Sequence, residues 1–300
     1  MGQKPKLKFI SYFRVQIART MTDQYPNRIK PIDIREVFRE KNPKLARIIP
    51  GFVYNYITRI MHIPEVNEII AKYGEQQGIE FVHSVVQHFG VKEKVVGIEN
   101  IPKNGRFIFA ANHPLGGFDG LLLMSNVNKI LGDVRFLVND ILMNIPQLES
   151  VFVPINKHGS HGRDFAKVVH DQYASDVQIL IFPSGYASRR IKGKVADMEW
   201  KKHFIQKAIQ YERDVIPVHV SGRNSNFFYN LANTRKFLGI RWNLEQFFLP
   251  DETFSHKGQE FTITFGKPIP YAQFDKSKKQ TEWANYVREK LYSMVEKQNR

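Results

Sequence analysis

Short apolar runs alternate with more polar stretches along the last two thirds of the chain. The apolar runs are rich in β-branched and aromatic residues and nearly free of charge, which is typical of strands covered on both faces. Strands are predicted at Arg106–Ala111, Val134–Val138, Val151–Ile155, Val177–Phe182, Val215–Val220 and Phe261–Gly266. Helices are predicted between and after them at Leu121–Ile130, Gly162–Tyr173, Trp200–Tyr211 and Gln280–Lys297. This alternation predicts an α/β fold, with a largely parallel mixed sheet flanked by helices.

The first third of the chain has a different pattern. Glu65–Tyr73 and Ile79–Phe89 carry apolar side chains at the roughly 3.6-residue spacing of amphipathic helices. Pro50-Gly51 interrupts the segment that precedes them. We therefore predict an N-terminal helical region over residues 1–95, as an extension of an α/β domain over residues 96–300.

Composition narrows the possible functions. The chain has 300 residues, 42% of them hydrophobic, and no cysteine, which excludes disulfides, thiolate metal sites and a cysteine nucleophile. The formal net charge of +15 indicates a polyanionic partner, such as an anionic membrane, a phosphorylated substrate or nucleic acid.

No stretch approaches the roughly 20 apolar residues of a membrane span. The start lacks a signal-peptide core, and Lys6 stands where myristoylation needs Ser or Thr, so we expect a soluble or peripheral protein.

The stretch NHPLGGFDG, Asn112–Gly120, follows a predicted strand and contains an ionisable pair. His113 should leave the carboxyl end of the strand, Gly116-Gly117 permit a tight return, and Asp119 should lie near the start of the next helix. Such a turn can bring the carboxylate to the imidazole, fix its tautomer and leave the other ring nitrogen as a base. The same spacing also allows Asp119 merely to cap the helix while His113 fills a turn. Spacing alone leaves both interpretations open.

A second charge-poor stretch, ILIFPSGYASRRIK at Ile179–Lys192, ends in two arginines. Backbone N–H groups in the Pro-Ser-Gly turn and the guanidinium groups of Arg189 and Arg190 favour an anion-binding site, with a solvated basic surface as the alternative.

His158, His161 and Asp164 recur three residues apart, as metal ligands on a helix can. The glycines among them indicate a loop instead, so we predict no metal site.

Three stretches, Asn112–Asp119, Phe182–Arg190 and Val215–Val220, resemble in order and spacing the sequence blocks of the lysophospholipid/glycerol-phosphate acyltransferase superfamily. The first block of that superfamily is His-x4-Asp, the third is Phe-Pro-Glu-Gly-x-x-Ser, and the fourth is an apolar Val-Ile-Pro-Val strand. The chain is most similar to the branch that acylates lyso-aminolipids (ornithine or glycine lipids, often labelled hemolysin-like), whose first block looks like NHPxGGxDG. The resemblance covers roughly residues 95–270, and Ile32–Pro43 also looks like that branch in bacteria.

The chain departs from the superfamily pattern in two places. Its first block is His-x5-Asp, one residue longer, and Gly116-Gly117 would accommodate the extra residue. Ser184 stands where the glycerol-phosphate enzymes carry glutamate, which favours an aminolipid acceptor over lysophosphatidate. The second block matches most weakly, since Phe152–Arg163 offers either Lys157 or Arg163 as its basic residue.

The resemblance implies an enzyme that moves a fatty acyl chain from an acyl thioester to the hydroxyl of a lyso-lipid. The donor would be acyl carrier protein or acyl-coenzyme A, and neither a cofactor nor a metal is expected. His113 would be the general base, oriented by Asp119. Turn N–H groups would stabilise the oxyanion and basic side chains would hold an anionic group of either substrate. The binding residues implied in this way are Asn112, Gly116, Gly117, Lys157, Ser184, Gly185, Ser188, Arg189 and Arg190.

Two other functions stay open at this point. One is acylation of lysophosphatidate (1-acylglycerol-3-phosphate) in phospholipid synthesis. The other, from a different class, is a basic nucleic-acid-binding protein. The basic residues form no single recognition helix, and the aromatic residues do not match a single-strand-binding pattern. Nucleic acid is therefore not expected as a partner.

Two segments, Lys4–Arg19 and Asn226–Pro250, combine aromatic residues with cations. Rings at headgroup level beside Arg235, Lys236 and Arg241 would suit a membrane interface, with an ordinary pair of core helices as the alternative. Each basic residue near an anionic lipid surface adds about 1 kcal/mol to binding. We expect a peripheral protein at the cytoplasmic face of the cell membrane, where the positive charge meets anionic lipid and acidic acyl carrier protein.

Overall fold

A seven-stranded, mostly parallel sheet forms the centre of the molecule. A computed structural model describes residues 31–41, 43–138, 145–154, 162–191, 193–240 and 243–298. The strands are β1 Lys92–Val96, β2 Phe107–Ala111, β3 Val134–Val138, β4 Phe152–Pro154, β5 Gln178–Ile181, β6 Arg189–Ile191, β7 Lys194–Ala196, β8 Asp214–Val220 and β9 Glu260–Phe265. The large sheet has the order β1-β9-β8-β2-β5-β3-β4, and β6 with β7 forms a separate antiparallel hairpin. Within the large sheet only the β8–β9 pair is antiparallel, so the predicted α/β class is confirmed.

Helices cover both faces of this sheet. They are α1 Ile34–Lys41, α2 Pro43–Ile48, α3 Gly51–Ile60, α4 Ile63–Tyr73, α5 Gly78–Phe89, α6 Gly117–Leu131, α7 Gly162–Ala174, α8 His203–Tyr211, α9 Asn226–Phe237, α10 Leu249–Ser255 and α11 Gln280–Gln298. Short 3₁₀ turns lie at Ile98–Asn100, Pro146–Leu148, Leu244–Phe248 and Tyr271–Gln273. The predicted break at Pro50-Gly51 is confirmed, since α3 begins directly after Pro50.

Strand β2 shows how the sheet divides the core. All five of its residues are buried. Phe107, Phe109 and Ala111 pack into a cluster with α5 and α6, whereas Ile108 and Ala110 pack on the opposite face with α8 and α11. Successive side chains of a strand point to opposite faces, so a strand that is apolar at every position must be covered twice.

Of the N-terminal helices, α5 packs onto the same core as the sheet, whereas α1, α3 and the start of α4 form a separate cluster around Phe38 and Tyr54. Val82, Val85 and Val86 of α5 lie in one cluster with Phe109 of β2 and Leu122 of α6. Strand β1 runs through position 95 and pairs in parallel with β9. The division of the chain at residue 95 stays a prediction.

Strand β8 lies at the centre of the sheet although it contains Pro217, a residue that normally disfavours a central position. On the β9 side, regular pairing begins only at Val218 with Phe265, and the next bridge joins Val215 to Ile269. Pro217 therefore lies where this ladder is interrupted, and its carbonyl accepts from the N–H of Gly266 at 2.9 Å. On the other side β8 runs parallel to β2, so the two strands end together. Ligand sites of α/β folds gather at such carboxyl ends.

Candidate active site

Asn112 joins the ends of the two central strands. Its Nδ2 donates to the carbonyl of Val220 at 2.9 Å, and its Oδ1 accepts from the N–H of Val220 at 2.7 Å. The side chain is buried, so both bonds are shielded from water. Asn112 thus fixes where the chain leaves β2, immediately before His113. Its predicted contact with substrate stays a prediction.

His113 and Asp119 meet across the turn that follows β2. The imidazole Nδ1 lies 2.9 Å from Asp119 Oδ1, and Asp119 Oδ2 accepts from the N–H of Leu115 at 2.9 Å. The Asp119 side chain is 0% exposed and that of His113 is 18% exposed. The carboxylate therefore both holds the turn and contacts the imidazole, as the first interpretation predicts, and its second partner, the N–H of Leu115, lies before the first residue of α6. An ionised carboxylate only accepts, so this contact selects the tautomer with the proton on Nδ1.

The glycine pair makes the turn possible. Gly116 has a φ of 83°, and a Cβ there would lie 2.7 Å from Leu249 Cδ2, so a side chain fits neither the backbone nor the space. Helix α6 starts at Gly117, four residues before the predicted Leu121, because Gly116 can take the capping position. A Cβ at Gly117 would meet no heavy atom of the described residues within 4 Å. The first N–H groups of a helix have no partners within it, so the start of α6 can offer a donor to an anion.

Phe182 holds the imidazole plane. The two rings stack with centroids 3.9 Å apart and an interplanar angle of 21°. Phe136 in turn packs edge-on against Phe182 at 5.0 Å. The ring is therefore fixed by stacking on its face and by Asp119 at its edge. Nε2 of His113 has no hydrogen-bond partner among the residues the structure describes, and it is free to contact a substrate.

Asp197 is a buried carboxylate beside His113 that the sequence did not reveal. Its Oδ1 accepts from the N–H of His113 at 3.1 Å and from the hydroxyl of Ser188 at 2.5 Å, and its Oδ2 accepts from Trp200 Nε1 at 2.9 Å. The N–H of Ser188 donates to the carbonyl of His113 at 2.6 Å. Both backbone polar groups of His113 are thus held by the segment that surrounds the β6–β7 hairpin.

Helix α11 fixes the backbone of Asp197. The Asp197 N–H donates to the hydroxyl oxygen of Tyr292 at 2.8 Å, and Arg288 Nη2 donates to the Asp197 carbonyl at 2.6 Å. Burial raises the pKa of the Asp197 carboxyl, while the hydrogen bonds from Ser188 and Trp200 oppose that rise. This carboxylate lies 84 residues from His113 in the chain and in no recognisable motif, so spacing offered no signal for it.

The polar groups of the Phe182–Arg190 loop are largely used within the loop. The Ser184 hydroxyl donates to the carbonyl of Tyr186 at 2.8 Å. The Gly185 N–H donates to the carbonyl of Phe182 at 3.0 Å. Of the residues predicted to bind substrate, Gly116, Gly117 and Ser188 lie together at the His113 turn. The predicted binding roles of Ser184 and Gly185 stay predictions.

Arg189 and Arg190 have different partners. Arg189 Nη2 donates to Glu245 at 2.8 Å, Glu245 is fully buried, and Arg235 pairs with the same carboxylate. Burial lowers the pKa of Arg189, and the charge of Glu245 opposes that shift. Arg190 instead donates to the amide oxygens of Asn226 and Asn230 and stays half-buried. Any anion bound between the two arginines would have to compete with Glu245 for Arg189.

Several residues that the sequence analysis singled out lie outside the part of the chain that the structure describes. These are Lys157, His158, His161 and the segment Lys4–Arg19. Within the described ranges, no three His, Asp or Glu side chains are arranged to hold a metal ion. The helices described there are also too short or too polar to cross a membrane.

The sequence profile of a family described as Acyltransferase matches residues 36–299. This chain belongs to that acyltransferase family. The resemblance predicted from the three sequence blocks is thereby confirmed, and the chain is an acyltransferase enzyme. For an acyltransferase, a partly exposed imidazole oriented by a buried carboxylate is the arrangement that can activate an incoming hydroxyl.

Two relatives of this acyltransferase match nearly its whole described length. The lyso-glycine lipid O-acyltransferase of Bacteroides thetaiotaomicron is 46% identical over 264 residues, covering 88% of this chain and 97% of the relative. The enzyme of the same name from Phocaeicola vulgatus is 44% identical, covering 88% and 95%. A solved structure, the 1-acyl-sn-glycerophosphate acyltransferase PlsC of Thermotoga maritima, aligns with a TM-score of 0.48 and 17% identity. That alignment covers 82% of this chain and 96% of PlsC.

Replacing Asp197 by asparagine should slow this acyltransferase without changing substrate affinity. The new amide would oppose at least one of the donors from His113, Ser188 and Trp200, and the His113 backbone would shift. Misplacing a reacting group by about 1 Å can cost about 100-fold in rate. We expect kcat to fall about 10- to 100-fold, with KM for the acyl donor changed less than about three-fold, measured in steady-state acyl-transfer assays.

The control is Asp275→Asn, which alters an exposed carboxylate. It should leave kcat unchanged. Thermal unfolding of both variants separates misplacement from unfolding. If Asp197→Asn lost activity only in proportion to its unfolded fraction, a positioning role for Asp197 would be excluded.

Proposed function

We propose that this acyltransferase moves a fatty acyl chain from a thioester donor to the hydroxyl of a lyso-lipid, with His113 as the general base. The observation that carries the proposal is the 2.9 Å contact between His113 Nδ1 and the buried carboxylate of Asp119. The contact leaves Nε2 unprotonated and without a partner among the described residues. A hydroxyl is a poor nucleophile until such a base removes its proton.

The proton moves through Nε2 in both halves of the reaction. The acceptor hydroxyl donates its proton to Nε2 as its oxygen bonds to the thioester carbonyl carbon. The tetrahedral intermediate then collapses, the carbon–sulfur bond breaks, and the departing thiolate takes the proton back from Nε2. Asp119 stabilises the positively charged imidazolium between these steps. A positioned base of this kind contributes about 10²- to 10⁴-fold to the rate.

The amino end of α6 is the proposed oxyanion site. The N–H of Gly117 belongs to the first turn of the helix, beside open space and directly after the His113 turn. Helix N-termini carry a partial positive charge, and preorganised backbone donors lower the energy of an oxyanion more than they lower that of a neutral carbonyl. Glycine at this position lets the carbonyl of a bulky thioester approach the backbone.

The names of the relatives support a lyso-aminolipid acceptor. Both relatives that cover almost the whole chain are called lyso-glycine lipid O-acyltransferases. The Ser184 hydroxyl, at the position where glycerol-phosphate enzymes carry glutamate, is used inside its own loop. The net charge of +15 suits an acidic acyl carrier protein as donor, and coenzyme A is the other donor of this chemical class.

The exposed side of α9 supports attachment to a membrane surface. The helix buries Phe228 and Tyr229 but leaves Phe237 90% exposed and the following Leu238 62% exposed. Lys236 lies directly before Phe237 in the last turn of the helix. Apolar side chains next to a cation suit insertion at the level of anionic headgroups. We therefore place the enzyme, as a peripheral protein, at the cytoplasmic face of the cell membrane, where lipid acceptors are found.

Removing the imidazole tests the proposed base directly. His113→Ala should lower kcat at least about 10³-fold, because the attacking hydroxyl loses its base. The Tm should fall, because the buried Asp119 carboxylate loses one of its two partners, so kcat is compared at a temperature where both proteins are folded. Purified protein is assayed with lyso-glycine lipid and an acyl-carrier-protein or coenzyme A thioester. Wild-type turnover by His113→Ala would refute the mechanism, and His170→Ala, which alters an exposed histidine of α7, is the matched control.

Membrane attachment is tested by making the tip of α9 polar. Phe237→Ser combined with Leu238→Ser should weaken partition onto anionic vesicles about 10-fold or more, since each large apolar side chain contributes roughly 1.5–3 kcal/mol when fully buried. Turnover of a short-chain, water-soluble acceptor should be unchanged. Vesicle co-sedimentation measures the partition, with Ile209→Ser on α8 as the control. Equal partition of the double variant and the control would show that this surface does not contact lipid.

A further inference from the structure

A polar pocket of about 360 Å³ lies beside the His113 turn and takes no part in the proton transfer described above. It is bounded by the segment after β8, by the start of α9 and by α10 with the residue that follows it. Arg223, Asn224, Asn226, Glu252 and His256 are among the residues that line it.

Two buried side chains of this pocket have polar atoms without partners. Asn224 is 1% exposed, and neither its Oδ1 nor its Nδ2 is hydrogen-bonded to any described residue. His256 is 3% exposed. Its Nδ1 lies 3.1 Å from Gln259 Oε1, and its Nε2 has no hydrogen-bond partner among the described residues. Buried polar groups are nearly always hydrogen-bonded, since leaving one unpaired destabilises the fold. Each of these atoms is sealed from solvent as the side chains stand, so a ligand in the pocket pairs with them once the side chains turn towards the cavity.

The charges around the pocket favour an anion next to a hydrogen-bond donor. Arg223 donates to Asn226 at the first position of α9, and the amino end of this helix adds partial positive charge. The carboxylate of Glu252 accepts from the N–H and the hydroxyl of Ser225 and keeps its negative charge, so an anion would lie next to Arg223 and away from Glu252. The side-chain amide of Asn224 can pair with a second amide, donating from Nδ2 and accepting at Oδ1.

The segments that line the pocket also contact the His113 turn. Leu115, two residues after His113, packs so closely on Gly222 that a Cβ there would lie 2.8 Å from Leu115 Cδ2. Leu249, the first residue of α10, packs against Gly116 in the same way. Val220, which is bonded to Asn112, precedes Arg223 by three residues, a span of at most about 11 Å. Residues adjacent in sequence to the pocket lining therefore contact the turn that holds His113.

We propose that this pocket binds the headgroup of the acceptor, as an amino-acid carboxylate joined to the lipid chain through an amide. Arg223 and Asn224 Nδ2 donate to the carboxylate. The amide N–H donates to Asn224 Oδ1 or to His256 Nε2, which is an acceptor because His256 Nδ1 carries the proton shared with Gln259 Oε1. A glycine attached to a lipid through its amino group has this chemistry. The inference rests on the proposed acyl transfer to a lyso-lipid, and it specifies where that acceptor is recognised.

Direct binding of a soluble probe tests the pocket without catalysis. N-acetylglycine carries the carboxylate and the amide, and its binding to the full chain is followed by NMR titration. We expect Arg223→Ala and Asn224→Leu each to weaken binding about 10-fold or more, with Arg59→Ala, on an exposed face of α3, unchanged. The methyl ester of N-acetylglycine should bind at least 10-fold more weakly than the acid. Unchanged binding of N-acetylglycine in Asn224→Leu would overturn the assignment.

Binding of pantetheine tests whether the pocket holds the thioester donor and not the lyso-lipid acceptor. Pantetheine carries amides but no carboxylate, and it represents the thioester donor. Weak pantetheine binding that Asn224→Leu does not alter supports an acceptor site. Pantetheine binding as tight as that of N-acetylglycine, and lost in Asn224→Leu, would assign the pocket to the donor and overturn the proposal.

Thermal stability separates a binding role of Asn224 from a structural one. Asn224 has unpaired amide atoms, so Asn224→Leu should keep or raise the Tm. Asn126 is buried as well, but its amide donates to Glu93 and to the carbonyl of Leu122, so Asn126→Leu should lower the Tm and keep N-acetylglycine binding. A Tm loss in Asn224→Leu equal to that in Asn126→Leu, with binding retained, would show that Asn224 only supports the fold.

Acyl-transfer assays distinguish a wrong assignment of the pocket from a wrong proposed function. For lyso-glycine lipid, Asn224→Leu and Arg223→Ala should raise KM about 10-fold and change kcat less than about three-fold. If the wild-type enzyme acylates this lipid and both variants share its KM, the pocket assignment is wrong and the proposed function stands. If the wild-type enzyme binds N-acetylglycine but acylates no lyso-lipid, the proposed function is wrong and the pocket stands.

Discussion

The carboxylate of Asp119 has no contact with solvent, and its two oxygens are bonded to two different donors of the same turn. A buried charge is tolerated only when it is paired and hydrogen-bonded, so the turn cannot open without exposing an unpaired carboxylate. One oxygen fixes the backbone at Leu115 and the other fixes the imidazole of His113. The conformation of the turn and the orientation of the proposed base therefore depend on the same side chain.

Contacts between distant parts of the chain hold this turn in place. Asn112 is bonded to Val220, and the backbone of His113 is bonded to Asp197 and Ser188. Asp197 is in turn held by α11 near the end of the chain. The conformation of the active site thus depends on contacts with the central strands, the β6–β7 region and the last helix. The proposed headgroup pocket extends this arrangement, because its walls pack against Leu115 and Gly116.

The buried parts of the fold could be predicted from sequence, and the exposed parts could not. Strands such as β2 and β5 are buried at every position and appear as uninterrupted apolar runs. Strand β1 was missed because it forms the edge of the sheet, where the two lysines of KEKVV face solvent and the charged residues hide the strand pattern. The β6–β7 hairpin was missed for a similar reason, since its arginines and lysine suggest a basic loop.

For the site, the separation of the residues along the chain decided what could be predicted. His113 and Asp119 are six residues apart, so a strand, a glycine turn and a helix start were enough to predict that they meet. Asp197 lies 84 residues from His113, and Glu245 lies 56 residues from Arg189. Contacts of this kind depend on the order of the strands and on helix packing, which local patterns do not encode. Arg189 and Arg190 were predicted to form one anion-binding site because the sequence did not show that Glu245 pairs with Arg189.

The tautomer of His113 is the most direct test of the account. In protein labelled with ¹⁵N at histidine, two-dimensional NMR distinguishes a ring nitrogen that carries a proton from one that does not, and comparison with His113→Gln assigns the signal. The account predicts that in the neutral ring the proton resides on Nδ1, towards Asp119, and that Nε2 is unprotonated. A neutral His113 with its proton on Nε2 would contradict the account, because that nitrogen could not accept the proton of an attacking hydroxyl.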